Sequence, residues 1–532
     1  MARRCHRRRP VAAGVPTRAP DGHREDDDVT FWGLLDDATR RAPDAVVLAD
    51  DHGRSLTTAA LRDAAGRAAA GLHRRGVGPG DVVCWQLPTT LEAAVVMAAC
   101  ARLGAVQNPV IPVFRHREVG FIVRQVSARL VIVPESWHGF GHGAMARSLG
   151  PEVLVLDLDG PPGPALRLPE GDPASLPPAP APARARADEC RWIYYSSGTT
   201  ADPKGVRHTD ESVIASSAGV VDGLGFGAGD VYPIAWPIAH IGGVSMLAAA
   251  LRTGGTLVLF DVFDPAVTPE RMAAHRPTVL GSATPFFHAY LAAQRRHGGD
   301  PLFPALRACV GGGAATPEPV NREVAQVLGV SGVVGSWGLT EFPVATSERS
   351  TDAEPGTTVG RPAAGVRVRV VDGELRLKGP QCFLGYADAG LDAEAFDADG
   401  WLRTGDLGDV DEQGRVRVRG RRKEVVIRNA ETISAAEVEG VLARHPAVRD
   451  VAVVGVPDER TGERICAVVV VRPGHDVPLA VLVAHCQAEG LARHKCPERL
   501  EIVGELPRNP MGKVLRRALE GWLASVSGDR VD

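Results

Sequence analysis

Lysine is almost missing from this chain of 532 residues. Of its 60 basic side chains only five are lysines, Lys204, Lys378, Lys423, Lys495 and Lys513, and the rest are arginines. Arginine serves surface solvation equally well, so a lysine inside a distinctive loop points to a task for a compact ammonium on a flexible stem. Paired cysteines are lacking too: nine occur, none in a C-x-x-C pair, which argues against a zinc site and for a reducing, cytoplasmic setting. No stretch of about 18 uninterrupted apolar residues occurs, so no spanning helix and no membrane partner are expected. A net charge of -4 lacks the excess of a general nucleic-acid binder. Arg3, Arg4, Arg7, Arg8 and Arg9 are followed by no apolar run before Asp26-Asp27-Asp28, so residues 1–30 read as a loose charged leader, not a secretory signal.

The chain is long enough for more than one domain, since single cores rarely grow past about 250–300 residues. Helix-like Phe31 to Arg41 and Ala59 to Arg74 precede strand-like Val82 to Leu87, a helix over Glu92 to Leu103 stopped by Gly104, and strand-like Arg129 to Val133. Strand, helix, strand in that order argues for a parallel sheet covered by helices. Residues 161–188, rich in Pro and Ala, read as a surface connection and not as a core element. From Val359 onward short period-two strands replace this rhythm, and after about Gly420 a last module mixes strands and helices. The expected architecture is α/β. A large N-terminal region of helix-covered, mostly parallel sheets plus a small antiparallel subdomain (31–420) is followed by a smaller mobile α+β C-terminal domain (421–532). Two tempting motifs fail. His138 and His142 lie four apart without the glutamate of a metal helix, and GLGFGAG at 223–229 puts Ala228 where a dinucleotide fingerprint needs its third glycine.

The stretch YYSSGTTADPKGVRHT, Tyr194 to Thr209, carries the strongest chemical signal. After an apolar strand, six small or hydroxyl residues run from Ser196 to Ala201. Ser196, Ser197, Gly198, Thr199 and Thr200 offer hydroxyls and main-chain N–H groups for phosphate oxygens, and Lys204 adds a mobile cation. A polar surface loop is the bland alternative, and the order of a Walker A loop is absent. Further on, Gly311-Gly312-Gly313-Ala314-Ala315 after an apolar strand allows a flat ring or another backbone to approach, or is a flexible turn. Gly335-Ser336-Trp337-Gly338-Leu339-Thr340-Glu341 gathers an aromatic face, a hydroxyl and a carboxylate, though each has an ordinary reading as core aromatic, turn hydroxyl or solvated acid. Asp406 has two acceptor oxygens suited to two vicinal hydroxyls, or is a turn aspartate.

Taken together and in order, YYSSGTTADPKGVRHT (194–209), PIAHIGG (237–243), SWGLTE (336–341), RTGDLG (403–408), GRRKEVVIRNAETISAAEVE (420–439) and LPRNPMGKVLRR (506–517) resemble the AMP-forming adenylating enzymes. That family includes acyl-CoA synthetases, aryl-acid adenylating ligases, adenylation domains of peptide synthetases and luciferases, and the likeness covers roughly residues 31 to 525. It implies two steps: a carboxylate attacks the α-phosphate of ATP to give an acyl-adenylate and pyrophosphate, and a thiol then displaces AMP. It implies that the Ser196–Lys204 loop embraces the β- and γ-phosphates, that Thr340 touches the α-phosphate and that Glu341 holds Mg²⁺. Asp406 and Arg421 resemble ribose and nucleotide ligands. Gly312, Gly313, Ala314, Ser336, Trp337 and Gly338 resemble the adenine surroundings. His240 stands at the family's aromatic-or-histidine position beside the acyl carboxylate.

Lys513 resembles the family's terminal-arm lysine, whose ammonium pins substrate carboxylate and α-phosphate together, and Lys423 resembles its hinge between the two domains. The acid pocket is expected from Ala239, His240, Gly242, Gly243, Ser282, Phe286, Phe287 and Gly311. Its small residues leave room for a hydrophobic, cyclic or polycyclic carboxylic acid. Arg428-Asn429-Ala430 departs from the glycine-rich wording of many members on the thiol side, so the acceptor is read as CoA or, in trans, a carrier protein or partner ligase. A homodimer is also in view. An alternative of another class is a non-catalytic nucleotide-binding regulator, against which the near-complete inventory from Lys204 to Lys513 speaks.

Overall fold

The computed structural model describes residues 30–158, 160, 163–180, 189–196, 203–312, 316–352, 355–422, 424–428, 431–458, 460–509 and 512–528. Thr30 caps the first helix, Phe31–Arg41, its hydroxyl accepting from the Gly33 N–H. One side of that helix is buried in the largest core. There Phe31 meets the fully buried Trp192 edge-on at 5.3 Å, a geometry worth about 0.5–1.5 kcal/mol beyond the area buried. Asp210 ties the two together, accepting from the Phe31 N–H at 3.0 Å and from Trp192 Nε1 at 2.7 Å.

The expected large α/β region is present. A seven-stranded sheet runs in the order Gly385–Tyr386, Lys204–His208, Trp192–Ser196, Val106–Pro109, Val82–Trp85, Leu130–Pro134 and Glu152–Leu156. Its pairings are parallel except those of Lys204–His208 with the two strands beside it. The helix Leu91–Leu103 is capped by Thr90 and ends on left-handed Gly104, as the sequence predicts. Val106–Pro109 escapes a pattern-based reading because its letters are Val-Gln-Asn-Pro, with Gln107 and Asn108 buried and hydrogen-bonded to the Met97 and Ile193 carbonyls.

A four-stranded sheet (Ser55–Thr57, Val46–Asp50, Thr256–Leu259, Val231–Ile234) and a five-stranded one (Val279–Ser282, Ala308–Gly311, Val333–Leu339, Phe342–Ser347, Arg361–Pro362) are joined where the Thr278 N–H donates to the Val231 carbonyl. The small antiparallel sheet follows as Arg367–Val371, Glu374–Lys378, Leu402–Val410 and Val416–Arg421. The proline-rich stretch corrects the sequence reading. Within its described part Leu166, Leu168, Leu176 and Ala179 pack against the main core, so it is structural cover and not a free surface connection. Proline fixes the backbone at little entropic cost, and the interspersed leucines find the groove.

The C-terminal domain is a smaller mixed sheet, with Gly462–Val471 between the long strand Val448–Asp458 and the short Val425–Arg428, and Arg499–Ile502 added in parallel. Helices Ala435–Leu442 and Leu479–Ala488 cover one face through Val438, Leu442 and Leu482, while Arg516–Gly528 covers the other through Leu519 and Leu523. Among the described residues no helix is long and apolar enough to cross a membrane.

Candidate active site

A cleft of about 1820 Å³ opens where the large region meets the C-terminal domain. It lies beyond the carboxyl ends of Trp192–Ser196, Val279–Ser282 and Ala308–Gly311, the usual ligand position in open α/β sheets. Its lining brings together Ser196, Lys204, His240, Gly242, Ser282, Gly311, Gly312, Ser336, Trp337, Gly338, Thr340, Glu341, Arg421 and Lys513. Ser197, Gly198, Thr199, Thr200, Gly313, Ala314, Lys423, Asn429, Ala430 and the leader up to residue 29 lie outside the described residues.

Each wall has a local cause. Ser196 and Lys204 stand opposite each other in antiparallel register, so the phosphate-loop candidate is the connection of a hairpin and Lys204 opens its second strand. Leu339 pairs with Phe342, which leaves Thr340 and Glu341 as a two-residue turn at the tip of another hairpin. That turn is held from behind by His208, a fully buried residue the sequence did not single out. Its Nε2 donates to the Thr340 carbonyl at 2.8 Å while Nδ1 accepts from Ser212 Oγ at 2.9 Å. Burial pushes the His208 imidazole down to about 4, so it stays neutral and the tautomer is fixed by its two partners.

Asp406 and Arg421 are cross-strand partners. Trp337 Nε1 donates to Asp406 Oδ2 at 2.8 Å, and Arg421 Nε lies 2.8 Å from Oδ1. That ion pair is the charged contact at Oδ1, which otherwise has no hydrogen-bond partner among the described residues. Asp406 itself is 2 % exposed, just beneath the lining, and burial raises its pKa against the opposing pull of Arg421.

His240 is the N-cap of the helix Ile241–Thr253, its Nδ1 accepting from the Gly242 N–H at 3.1 Å. The proton therefore sits on Nε2, and burial lowers the imidazole to about 4, leaving a neutral donor at the positive end of a helix. Beyond it the wall is apolar: Val220, Leu224, Tyr232, Trp236, Met246 and Val344 line it with no charged group among them. The sequence did not find these residues, which read simply as core. Four expected pocket residues, Ala239, Gly243, Phe286 and Phe287, do not line the cleft. Phe286 packs on Phe263 with ring centroids 4.3 Å apart, and Gly243 lines no part of the cleft. The helix Thr284–His297 turns Phe286, and with it the fully buried Phe287, inward to the main core. Ala239 borders a small void beside Tyr194, His240 and Thr340.

From the other side comes a tight turn. Arg508 and Val514 pair, the Lys513 N–H donates to Asn509 Oδ1 at 2.9 Å, and left-handed Gly512 (φ +77°) lies so close to the large region that a Cβ there would meet the Ala283 methyl at 2.7 Å. The arm is anchored by Arg508, whose Nη2 donates to both Asp450 carboxylate oxygens at 2.8 and 2.7 Å. Lys513 Nζ stands 3.9 Å from Glu424, which Arg516 also engages. Burial and then the Arg421 charge lower the Lys513 pKa.

Glu341 and Thr340 present hard oxygen atoms on one turn, a donor set that fits a magnesium ion. The orphaned Asp406 Oδ1 fits a ribose hydroxyl.

Comparison with known proteins agrees with this geometry. Residues 35–387 match the model described as AMP-binding enzyme, and residues 437–513 the AMP-binding enzyme C-terminal domain. A medium-chain fatty-acid–CoA ligase of Escherichia coli is 32% identical over 510 residues, covering 92% of this chain and 89% of that protein. A 3-[(3aS,4S,7aS)-7a-methyl-1,5-dioxo-octahydro-1H-inden-4-yl]propanoyl:CoA ligase of Mycobacterium tuberculosis is 33% identical over 502 residues, covering 92% and 98%. The crystal structure of ATP-bound MatB from Rhodopseudomonas palustris superposes with a TM-score of 0.81 at 28% identity, covering 93% and 99% of the two chains. With its motif residues gathered in one cleft, a two-domain fold and a family match over most of its length, the chain belongs to the AMP-forming acyl-adenylate ligases, enzymes that activate an acid with ATP.

Proposed function

We propose that this enzyme activates a hydrophobic carboxylic acid, cyclic or polycyclic, to its acyl-adenylate and then transfers the acyl group to CoA. The observation that carries the proposal is that Lys204 and Lys513, from two domains, open into one cleft whose far wall, Val220 to Val344, is apolar and uncharged. A carboxylate seated against that wall meets the His240 Nε2–H and the N-terminus of Ile241–Thr253, which offset the cost of taking it from water. The two ligase relatives support the wall's reading, since one acts on fatty acids and the other on a fused-ring propanoate by their names.

In the first step a carboxylate oxygen attacks the α-phosphorus of ATP, and the bond to the bridging oxygen breaks toward pyrophosphate. Two anions must approach, so the barrier is largely electrostatic. Lys513 Nζ lies between them and draws both inward, the Thr340 hydroxyl donates to the α-phosphate, and Lys204 collects charge on the departing pyrophosphate. Asp406 Oδ1 accepts from the ribose, Trp337 walls the adenine, and Arg421 shields the nucleotide's charge. Bound at Glu341, a magnesium ion would neutralise charge on the phosphate oxygens. The C-terminal domain then turns about Lys423, withdrawing Lys513 so that the thiol can reach the adenylate.

Acid-dependent exchange of labelled pyrophosphate into ATP, run over straight-chain, aromatic and polycyclic acids and followed by tests with CoA, checks both halves. Turnover with apolar acids and a CoA thioester as product are expected. Turnover of charged amino acids alone would overturn the acid class, and exchange without thioester would overturn CoA as acceptor.

A further inference from the structure

Tyr386 touches both charged groups of the phosphate side, yet no motif reading singled it out. The two-residue strand Gly385–Tyr386 closes the edge of the seven-stranded sheet on the strand that begins with Lys204. Its backbone is fixed on three sides. The Ala387 N–H donates to the Gly205 carbonyl at 2.7 Å, the Leu384 N–H to that of Arg207 at 2.8 Å, and the Tyr386 N–H to Asp392 Oδ1 at 2.8 Å. The ring packs edge-on against Phe383 at 5.0 Å and is 7 % exposed, lining the cleft. Such a ring has little freedom to turn away.

From that position the phenol Oη donates to Glu341 Oε1 at 2.8 Å, and the ring receives the Lys204 ammonium 5.1 Å from its centroid. Among the described residues neither Lys204 nor Glu341 has an ion-pair partner, although both line the same wall and carry opposite charges. Two such groups on mobile stems would pair directly, and each ligand would then have to break that pair before binding.

We propose that Tyr386 is a positioning residue that holds Lys204 and Glu341 apart, keeping the ammonium available for pyrophosphate oxygens and the carboxylate for a divalent cation. The assignment rests on the adenylation reading for its purpose but on contacts within the free protein for its substance. The hydroxyl orients the carboxylate; the ring face parks the ammonium. These two tasks are separable, because phenylalanine keeps the face and loses the donor while leucine loses both.

The test uses the full chain with Tyr386→Phe, Tyr386→Leu and Tyr386→Leu combined with Glu341→Gln. With five lysines in all, amine acylation at Lys204 can be followed peptide by peptide without any turnover. Lys204 is expected to react at the wild-type rate in Tyr386→Phe and about fivefold more slowly in Tyr386→Leu, where the new ion pair protects it, with the rate restored by Glu341→Gln. Mn²⁺ binding in the presence of ATP, read by electron paramagnetic resonance, is expected to weaken about three- to tenfold in Tyr386→Phe through loss of a hydrogen bond to a charged group. A wild-type labelling rate in Tyr386→Leu, slowing that Glu341→Gln leaves in place, or unchanged Mn²⁺ binding in Tyr386→Phe would each overturn the proposal. Failure of every acid to support exchange by the wild type would instead overturn the adenylation reading, and the labelling result would stand apart from it.

Discussion

The two sides of the cleft are held by different forces. On the large region's side the chemistry-bearing groups are set by burial. His208 is fully enclosed behind Thr340, Asp406 is enclosed behind Trp337, and the Thr340–Glu341 turn has no spare residue. On the C-terminal side Lys513 rides on a turn that touches the large region through Gly512 and is fastened within its own domain by the charged pairs Arg508–Asp450 and Arg516–Glu424. Apolar packing and buried hydrogen bonds fix one geometry, whereas a few contacts at a domain edge, such as those of Gly512 and Ser434, can be released and remade. The difference teaches how the proposed reaction could keep its nucleotide side fixed while its smaller domain changes face.

That contrast is sharpest at Lys513. Lys513→Ala is expected to slow acid-dependent pyrophosphate exchange about 100- to 1000-fold, because one charge aimed at the reacting phosphate is removed. Its melting temperature and its CoA transfer from a supplied acyl-adenylate should stay near wild type, and a parallel loss of transfer would break the comparison. Gly512→Ala puts a methyl where Ala283 already stands and strains a left-handed backbone. It is expected to lower exchange about tenfold to a hundredfold, since displacement of about 1 Å is that costly, again without a matching loss of thermal stability.

On the buried side the signature should reverse. Trp337→Phe removes the donor to Asp406 Oδ2 and is expected to raise the KM for ATP about tenfold and to lower the melting temperature, with the KM for the acid unchanged. The smallest effect at working pH is that of His208. Its folded pKa of about 4 lies below the unfolded value near 6.5, so as pH falls below 6.5 the unfolded chain binds a proton that the folded one refuses. Stability from this group is whole above pH 6.5, declines by about 1.4 kcal/mol per pH unit toward pH 4, and levels off below. Denaturant titrations of wild type and His208→Gln across that window check it, and equal slopes would show that the enclosure of His208 has been misjudged.

Much of this was legible in the letters. The Phe31–Arg41 helix, the Thr90 cap and Gly104 stop, and the shift from helix-separated strands to short alternating ones all follow from local periodicity and capping chemistry. The cleft residues carried by contiguous motifs, such as Lys204, Trp337, Glu341 and Lys513, stood out because their loops use unusual local wording. What stayed hidden depends on strands meeting from far apart. His208 matters only because Thr340, 132 positions later, turns back over it, and Tyr386 only because its strand closes the sheet beside Lys204. Phe286, expected in the acid pocket, packs on Phe263 for the same reason: an aromatic on a core helix and an aromatic on a pocket wall look alike until the helix's rotation is known.

The apolar wall draws Val220 and Leu224 from one helix and Met246 from another, both well away in the chain from the Lys513 turn. On the proposed reading, the side chains that select the acid and the lysine that closes on it from the C-terminal domain are inherited on separate stretches of sequence. Repainting those few side chains would change which fuel the machine accepts while leaving its engine as it is.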